Sequence, residues 1–144
     1  MTFRATYYGG DGTYQCDIDD MIGRTFLRVI NTGDELIFED EHGRFKFYHS
    51  QDCCENVTIE DVVGDLNDLV GVPLMRAEES TSGENPPGVE KEYQDSFTWT
   101  FYKFATIKGY VDVRWYGESN GYYSEGVSLS YTGRIPDQLP GDTE

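Results

Sequence analysis

Cationic residues are scarce in this sequence. It has 11 Lys and Arg against 27 Asp and Glu, which gives a formal net charge of −16 at pH 7, and no basic stripe runs along the chain. Proteins that bind nucleic acid neutralise phosphates with Lys and Arg, and anionic membrane surfaces attract the same side chains. The composition therefore predicts a protein that binds neither nucleic acid nor anionic membranes directly.

Long apolar runs and cysteines are also few. No apolar stretch approaches the ~18 residues of a membrane-spanning helix, and the N-terminus lacks the pattern of a secretory signal. The three cysteines are an odd number, and a chain of 144 residues can fold on its core alone. We therefore expect reduced thiols or metal ligands, and no disulfide framework, in a soluble intracellular protein.

Aromatic residues, by contrast, are abundant. They make up 15% of the chain, with 11 Tyr and 8 Phe, and this composition favours β-sheet. The length suits a single domain. We assign residues 1–22 to an N-terminal arm or short hairpin, 23–132 to one domain, and 133–144 to a frayed acidic tail.

Apolar residues alternate with polar ones in several segments, which turns rich in Gly and Asn separate. This alternation is typical of antiparallel strands. A further short strand is indicated between Pro73 and Glu79. The pattern predicts a meander followed by three later strands, at Phe26–Ile30, Glu35–Glu39, Phe45–His49, Ser96–Phe104, Tyr110–Tyr116 and Tyr122–Tyr131.

One segment has helical periodicity instead. Thr58 and Asp61 resemble a capping pair, and Gly71 follows as a stop signal. The pattern predicts an α-helix over Thr58–Val70, so the predicted fold class is α+β, with an antiparallel sheet of six to eight strands and one principal helix. The apolar residues with this spacing are Ile59, Val62, Val63, Leu66, Leu69 and Val70.

A cluster of potential metal ligands follows the third predicted strand. Imidazole and thiolate are preferred ligands of zinc, so the loop is a candidate for a structural zinc site, with Glu125 as a further carboxylate. Adjacent cysteines rarely bind one metal together, and the alternative is a buried cysteine with His49 bonded to backbone. A thiol nucleophile with His49 as its base is opposed by neighbouring carboxylates, which disfavour the thiolate. The candidate ligands are His49, Asp52, Cys53 and Cys54.

Carboxylates near the late hairpin offer an acid/base pair. Glu118 and Glu125 flank the Asn-Gly turn and could act together with Asp112. Residues of this kind are more often solvated parts of a strand face. We therefore assign no catalytic residues.

Acidic residues concentrate in one quarter of the chain. Residues 34–68 contain 11 Asp and Glu against Arg44 and Lys46, a local net charge of −9. Such a field speeds encounters with basic surfaces, as a nucleic-acid mimic requires, although the same charge can serve only solubility. An exposed aromatic ring of the late hairpin would also suit an interface. The candidate contacts are Glu39, Asp40, Glu41, Glu60, Asp61, Asp65, Asp68, Trp115, Tyr116 and Glu118.

Several motifs resemble a family of small uncharacterised proteins found mostly in bacteriophages and prophages. The resemblance extends from about Thr25 to Ser128. It rests on the segments Tyr48–Glu55, Ile59–Leu66, Glu92–Tyr102 and Arg114–Glu125. The resemblance implies a phage protein located in the cytoplasm of a bacterial host cell. The family has no assigned activity, so the resemblance implies none for this chain.

These observations predict a non-enzymatic, phage-encoded binding protein that antagonises a host defence factor. The basic nucleic-acid-handling effector of a CRISPR system fits best, because an acidic inhibitor can occupy a channel built for nucleic acid. Two alternatives stay open. One is a small Cys/His metal-binding or thiol-dependent enzyme or redox module, and the other is a phage structural or assembly protein.

Overall fold

The structure, a computed structural model, describes residues 6–7, 13–90, 94, 96–121 and 124–133. This part of the chain contains no α-helix and two 3₁₀ helices, Ile18–Met21 and Leu66–Leu69. It contains ten strands: β1 Thr6–Tyr7, β2 Thr13–Gln15, β3 Arg28–Asn31, β4 Leu36–Glu39, β5 Gly43–Tyr48, β6 Asn56–Val63, β7 Arg76–Ser82, β8 Ser96–Thr106, β9 Gly109–Ser119 and β10 Ser128–Gly133.

The strands form two antiparallel sheets that pack face to face. Sheet I has the order β1-β2-β10-β5-β4-β3, and sheet II has the order β6-β9-β8-β7. Aromatic rings join the sheets across the core: the ring centroids of Phe38 and Phe104 lie 4.9 Å apart, and those of Phe47 and Tyr102 lie 4.6 Å apart. Side chains alternate along each strand, so one face of each sheet supplies this core. The fold is a β-sandwich, and the predicted α+β class is wrong.

The predicted helix at Thr58–Val70 does not exist. Its first half is β6, at the edge of sheet II, and its second half contains only the 3₁₀ turn Leu66–Leu69. Gly64 separates the two with a φ of +109°, and an added Cβ there would lie 2.7 Å from the backbone oxygen of Tyr110. This close approach and the positive φ both favour glycine, which ends the strand.

A β-bulge explains why the apolar residues of β6 have the spacing of a helix. The register of β6 against β9 shifts between Ile59 and Asp61, which inserts one extra residue. Ile59 and Val62 therefore both pack against the core although they are three residues apart. That spacing matches a helix, whereas the many β-branched residues of the segment favour a strand.

The predicted meander is confirmed, because β3, β4 and β5 pair consecutively in sheet I. The hairpin of β8 and β9 is also confirmed, over eleven residues in each strand. The last predicted strand starts too early: β10 begins at Ser128, and residues 122–123 lie outside the described part.

Near the N-terminus, β1 pairs with β2, and β2 pairs with β10. Of the predicted tail, only Gly133, the last residue of β10, belongs to the described residues. Within the described ranges, no helix has the length and apolar character needed to span a membrane.

Candidate functional site

A buried ion pair between His49 and Glu55 organises the loop after β5. Nε2 of His49 lies 3.1 Å from Oε2 of Glu55, and Nδ1 lies 2.8 Å from the carbonyl oxygen of Gly126. Both partners are acceptors, and an imidazole donates from both nitrogens only when it is protonated. The geometry therefore fits a charged imidazolium, although the two side chains are only 6% and 1% exposed.

The other carboxylate oxygen of Glu55 closes the loop on itself. It accepts hydrogen bonds from the backbone N–H groups of Asp52 (3.2 Å) and Cys53 (2.8 Å) and from the side-chain amide of Gln51 (3.2 Å). Burial raises the pKa of Glu55, but the bonds from the Cys53 backbone and from His49 outweigh it and lower the pKa to about 2. Glu55 is thus the centre of this loop.

Replacing Glu55 with glutamine should remove a pH-dependent part of the stability. The pKa of Glu55 is lower in the folded protein than its ordinary value of 4.5, so the ionised carboxylate stabilises the fold fully above about pH 4.5. This contribution is lost as the pH falls toward about 2. We expect the difference in unfolding free energy between the wild type and Glu55→Gln, measured by urea unfolding, to shrink across that window.

The control for this experiment is Glu84→Gln, because Glu84 is exposed and no cation of the described residues pairs with its carboxylate. The difference in unfolding free energy between this control variant and the wild type should stay nearly constant with pH. A Glu55→Gln difference that is equally constant between about pH 6 and about pH 3 would contradict the role given to Glu55.

The four predicted metal ligands do not form one set. Cys53 and Cys54 are joined to each other in a disulfide, contrary to the expectation of reduced thiols. Both nitrogens of His49 have the partners described above, and Asp52 is exposed. Among the described residues, no three His, Cys, Asp or Glu side chains converge as a metal site. The structural zinc site stays a prediction.

Glu125 lies one residue before the carbonyl that His49 contacts. Its carboxylate accepts hydrogen bonds from the hydroxyls of Ser119 (2.5 Å) and Thr98 (2.9 Å). Burial raises the pKa of Glu125, but the hydroxyl bonds outweigh it and lower the pKa. Gly117 permits the approach, because a Cβ there would lie 2.5 Å from the backbone oxygen of Glu125. Glu125 therefore anchors the chain that leads into β10.

The carboxylates considered for acid/base chemistry are far apart. Asp112 and Glu118 lie on the outer face of β9, six residues apart. This spacing separates them by about 20 Å along the strand. Glu125 bonds to the hydroxyls named above instead of facing either of them. The structure therefore does not bring these three groups together.

Three of the predicted acidic contacts form ion pairs with arginines within the protein, and a fourth, Glu41, lies 3.4 Å from Nε2 of His42. Each of the three lies on a strand or at a strand end, where a cation of a neighbouring segment reaches it. A paired carboxylate offers a partner less attraction than a free one, because part of its field is already neutralised. The pairs are Glu39 with Arg28 (2.5 Å), Asp40 with Arg24 (3.4 Å) and Glu60 with Arg114 (2.5 Å).

Asp40 is the most deeply integrated of these acids. Its Oδ1 accepts the backbone N–H groups of His42 (2.9 Å) and Gly43 (2.8 Å), which closes the turn between β4 and β5, and the hydroxyl of Tyr131 (3.1 Å). The guanidinium of Arg24 lies over the Tyr131 ring, 5.7 Å from its centroid. The side chains of Asp40 and Arg24 are only 7% and 12% exposed. Asp40 therefore has a structural role in this protein.

The remaining predicted acids do not share one face, because there is no helix to present them. Glu41 and Asp61 are exposed, on the β4–β5 turn and on β6. Asp65 caps the 3₁₀ turn by accepting the backbone N–H of Asn67 at 2.9 Å, and Asp68 is half-buried. The acidic segment is therefore divided between the two sheets.

The aromatic candidates of β9 point in opposite directions. Trp115 is fully buried between the sheets, and its indole N–H has no hydrogen-bond partner within the described residues. Tyr116 lies on the outer face, where its hydroxyl donates to Glu118 at 2.6 Å. Alternation on the strand produces this division, so only Tyr116 and Glu118 face outward.

Sequence reasoning missed Trp99, which is fully buried on the outer face of sheet II. Its indole N–H donates to the side-chain oxygen of Asn85 at 3.0 Å, and the amides of Asn85 and Gln94 bond to each other. The guanidinium of Arg114 stacks 5.3 Å from the Trp99 ring. The alternation of residues in β8 predicts on which face of the sheet Trp99 lies. Only the tertiary structure shows that the segment after β7 covers this residue.

No curated protein and no solved structure matches the chain. Residues 19–129 match the family described as Domain of unknown function (DUF7448). The matched region contains the His49–Glu55 loop, all of sheet II and the motif range that begins near Thr25. The chain therefore belongs to the DUF7448 family of domains of unknown function.

Proposed function

We propose that the protein is a non-enzymatic binding protein for a basic partner. In the phage setting that the sequence resemblance implies, it antagonises a nucleic-acid-handling defence effector of the host, such as a CRISPR nuclease. The observation that supports this function is a surplus of carboxylates. The whole chain has 27 Asp and Glu but only 11 Lys and Arg, and within the described residues five Lys and Arg side chains pair with carboxylates.

Two of the surplus carboxylates are held on rigid backbone. Glu41 stands at the turn that Asp40 closes, and Asp65 is fixed by its bond to the 3₁₀ turn. Positioned charges attract a basic surface over a distance of about one Debye length, ~8 Å at physiological salt, and they lose little freedom on binding. Such groups raise the association rate of a complex.

The chemistry of the buried polar groups favours binding over catalysis. A general base needs a free acceptor atom within hydrogen-bond reach of its substrate. The nitrogens of His49 and the carboxylates of Glu55 and Glu125 are already bonded inside the fold. His49 donates from both ring nitrogens and so has no free acceptor atom, and a substrate would have to displace these bonds before any of the three groups could act on it.

The test is affinity capture at low salt from a bacterial host that carries a CRISPR system, followed by association kinetics with the captured nuclease. We expect a basic nucleic-acid-binding protein and an association rate that falls steeply as salt is raised. The double variant Glu41→Lys/Asp65→Asn should associate roughly tenfold more slowly. Asparagine at 65 retains the capping bond, so the fold is preserved.

A matched control separates a local effect from net charge. Glu84→Lys/Glu90→Gln changes the charge by the same amount at two exposed residues of another loop. This variant should associate nearly as fast as the wild type. Capture without any basic nuclease or nucleic-acid-binding protein would contradict the proposal, and so would equal slowing by both double variants.

A further inference from the structure

The outer face of sheet II carries its side chains in rows that cross all four strands. In one row, Ser80, Phe101, Arg114 and Asp61 are neighbours from β7 to β6. In the next row, the neighbours from β7 to β6 are Glu78, Lys103, Asp112 and Val63, and Glu78 is paired with Arg76. Between these rows lies a trough with a volume of about 270 Å³.

The charges that line this trough are balanced. Asp61 and Asp112 supply two carboxylates, and Lys103 and Arg114 supply two cations, of which Arg114 is also paired with Glu60. This balance contrasts with the net charge of −16 for the whole chain. A site that selected an anion or a cation would carry an excess of the opposite sign, so the lining suits an uncharged polar ligand.

The polar groups of the trough are available to a ligand. Lys103 and Asp112 stand opposite each other in register, yet their side chains form no hydrogen bond or ion pair within the described ranges. Within the part of the chain that the structure describes, the Asp61 carboxylate accepts only the backbone N–H of Val62, at 3.0 Å. Arg114 is fixed in place by Glu60. Donors and acceptors thus stand side by side across one opening.

The floor between these groups is apolar. Phe101 is half-buried, and Val63 is 59% exposed beside it. A second depression of about 170 Å³ shares Lys103 and Asp112 with the trough and adds Arg76, which is paired with Glu78, and Tyr110, which is 71% exposed. An exposed aromatic ring and an aliphatic side chain in line with the trough extend the same type of surface along the sheet.

We propose that this trough binds uncharged pyranose rings of a glycan chain. A pyranose has an apolar C–H face that packs on an aromatic ring, and hydroxyls that both donate and accept hydrogen bonds. Phe101 supplies the ring, while Lys103 and Asp112 supply a donor and an acceptor for neighbouring hydroxyls. The volume is near the lower limit of ligand pockets, about 300 Å³, so one sugar ring fits in the trough and the next reaches Tyr110.

Competing ligand classes fit less well. A phosphate would meet the carboxylates of Asp61 and Asp112 beside the two cations, so the lining gives it little net attraction. A lipid chain would leave Lys103 and Asp112 buried without partners. An extended peptide adds to the edge of a sheet, whereas this trough lies across its face. The inference does not depend on the basic partner proposed above, because Glu41 and Asp65 do not line the trough.

The test is saturation-transfer NMR of the full chain with methyl glycosides of glucose, galactose, mannose and N-acetylglucosamine, each at about 10 mM, where weak millimolar binding is visible. We expect transfer to the ring protons of at least one glycoside. Phe101→Ala and the isosteric Asp112→Asn should each weaken it about tenfold. Tyr48→Ala and Glu39→Gln, at an aromatic ring and a carboxylate of sheet I, are the matched controls and should leave it unchanged.

The same experiment distinguishes a glycan chain from a free sugar. The β-linked disaccharide of the preferred sugar should bind more tightly than its methyl glycoside, and Tyr110→Ala should remove that gain. Equal affinity for the two would overturn the assignment to a glycan chain. No transfer to any glycoside, or transfer that survives both Phe101→Ala and Asp112→Asn, would overturn the site itself.

Discussion

Replacing Asp40 with alanine is expected to lower the free energy of unfolding by about 3–5 kcal/mol, the range found when one partner of a buried ion pair is removed. The substitution leaves Arg24 buried without its carboxylate and removes the acceptor for two backbone N–H groups and for Tyr131. Urea unfolding followed by circular dichroism measures this loss of unfolding free energy. The comparison requires that the slope of unfolding free energy against urea concentration is the same in both proteins.

The adjacent acid is the natural control for Asp40. Glu41 is 78% exposed, so Glu41→Ala should change the unfolding free energy by no more than about 0.5 kcal/mol. A loss below about 1 kcal/mol in Asp40→Ala would contradict the structural role. The contrast matters for function, because a binding defect in an Asp40 variant reports on the fold, whereas a defect in a Glu41 variant reports on the surface.

Trp115→Ala is the second substitution with a large expected effect. The indole is fully buried between the sheets, and its removal leaves a cavity that costs about 3–5 kcal/mol of unfolding free energy. Trp115→Phe should cost only about 1 kcal/mol, because the indole N–H has no partner to lose among the described residues and a phenyl ring fills most of the space. Thermal and urea unfolding of both variants check the order.

An exposed aromatic residue on the same strand provides the comparison. Tyr110 is 71% exposed, and Tyr110→Ala should stay within about 0.5 kcal/mol of the wild type. If Trp115 were a surface contact, as its position beside a turn suggested, Trp115→Ala would also be nearly neutral. If Trp115→Ala left the unfolding free energy nearly unchanged, the interpretation of Trp115 as an interface residue would be restored.

Local alternation predicted the strands well where the ladders are regular. The meander of β3, β4 and β5 and the hairpin of β8 and β9 follow from residues that alternate between short turns. Prediction failed at β6, where a bulge set Ile59 and Val62 on one face. A sequence pattern cannot reveal a bulge, since the extra residue is accommodated by the partner strand β9.

The candidate site was predicted only in part for a similar reason. The sequence indicated the importance of the loop after β5, and the structure places His49 at its centre with Glu55. The third partner, Gly126, is 77 residues away in the chain. It meets His49 because β10 pairs with β5 so that Ser128 stands opposite Tyr48. No local pattern specifies this long-range register.

The sequence by itself determined the composition-dependent properties of this protein: its net charge, the scarcity of cations and most of its strand segments. These depend on counts and on neighbouring residues. Only the tertiary structure decided which carboxylates are neutralised, that Trp115 fills the core while Trp99 is covered on the outside, and that a charge-balanced trough crosses sheet II. Ion pairs, burial and troughs depend on strand order and register, which arise when distant segments pack together.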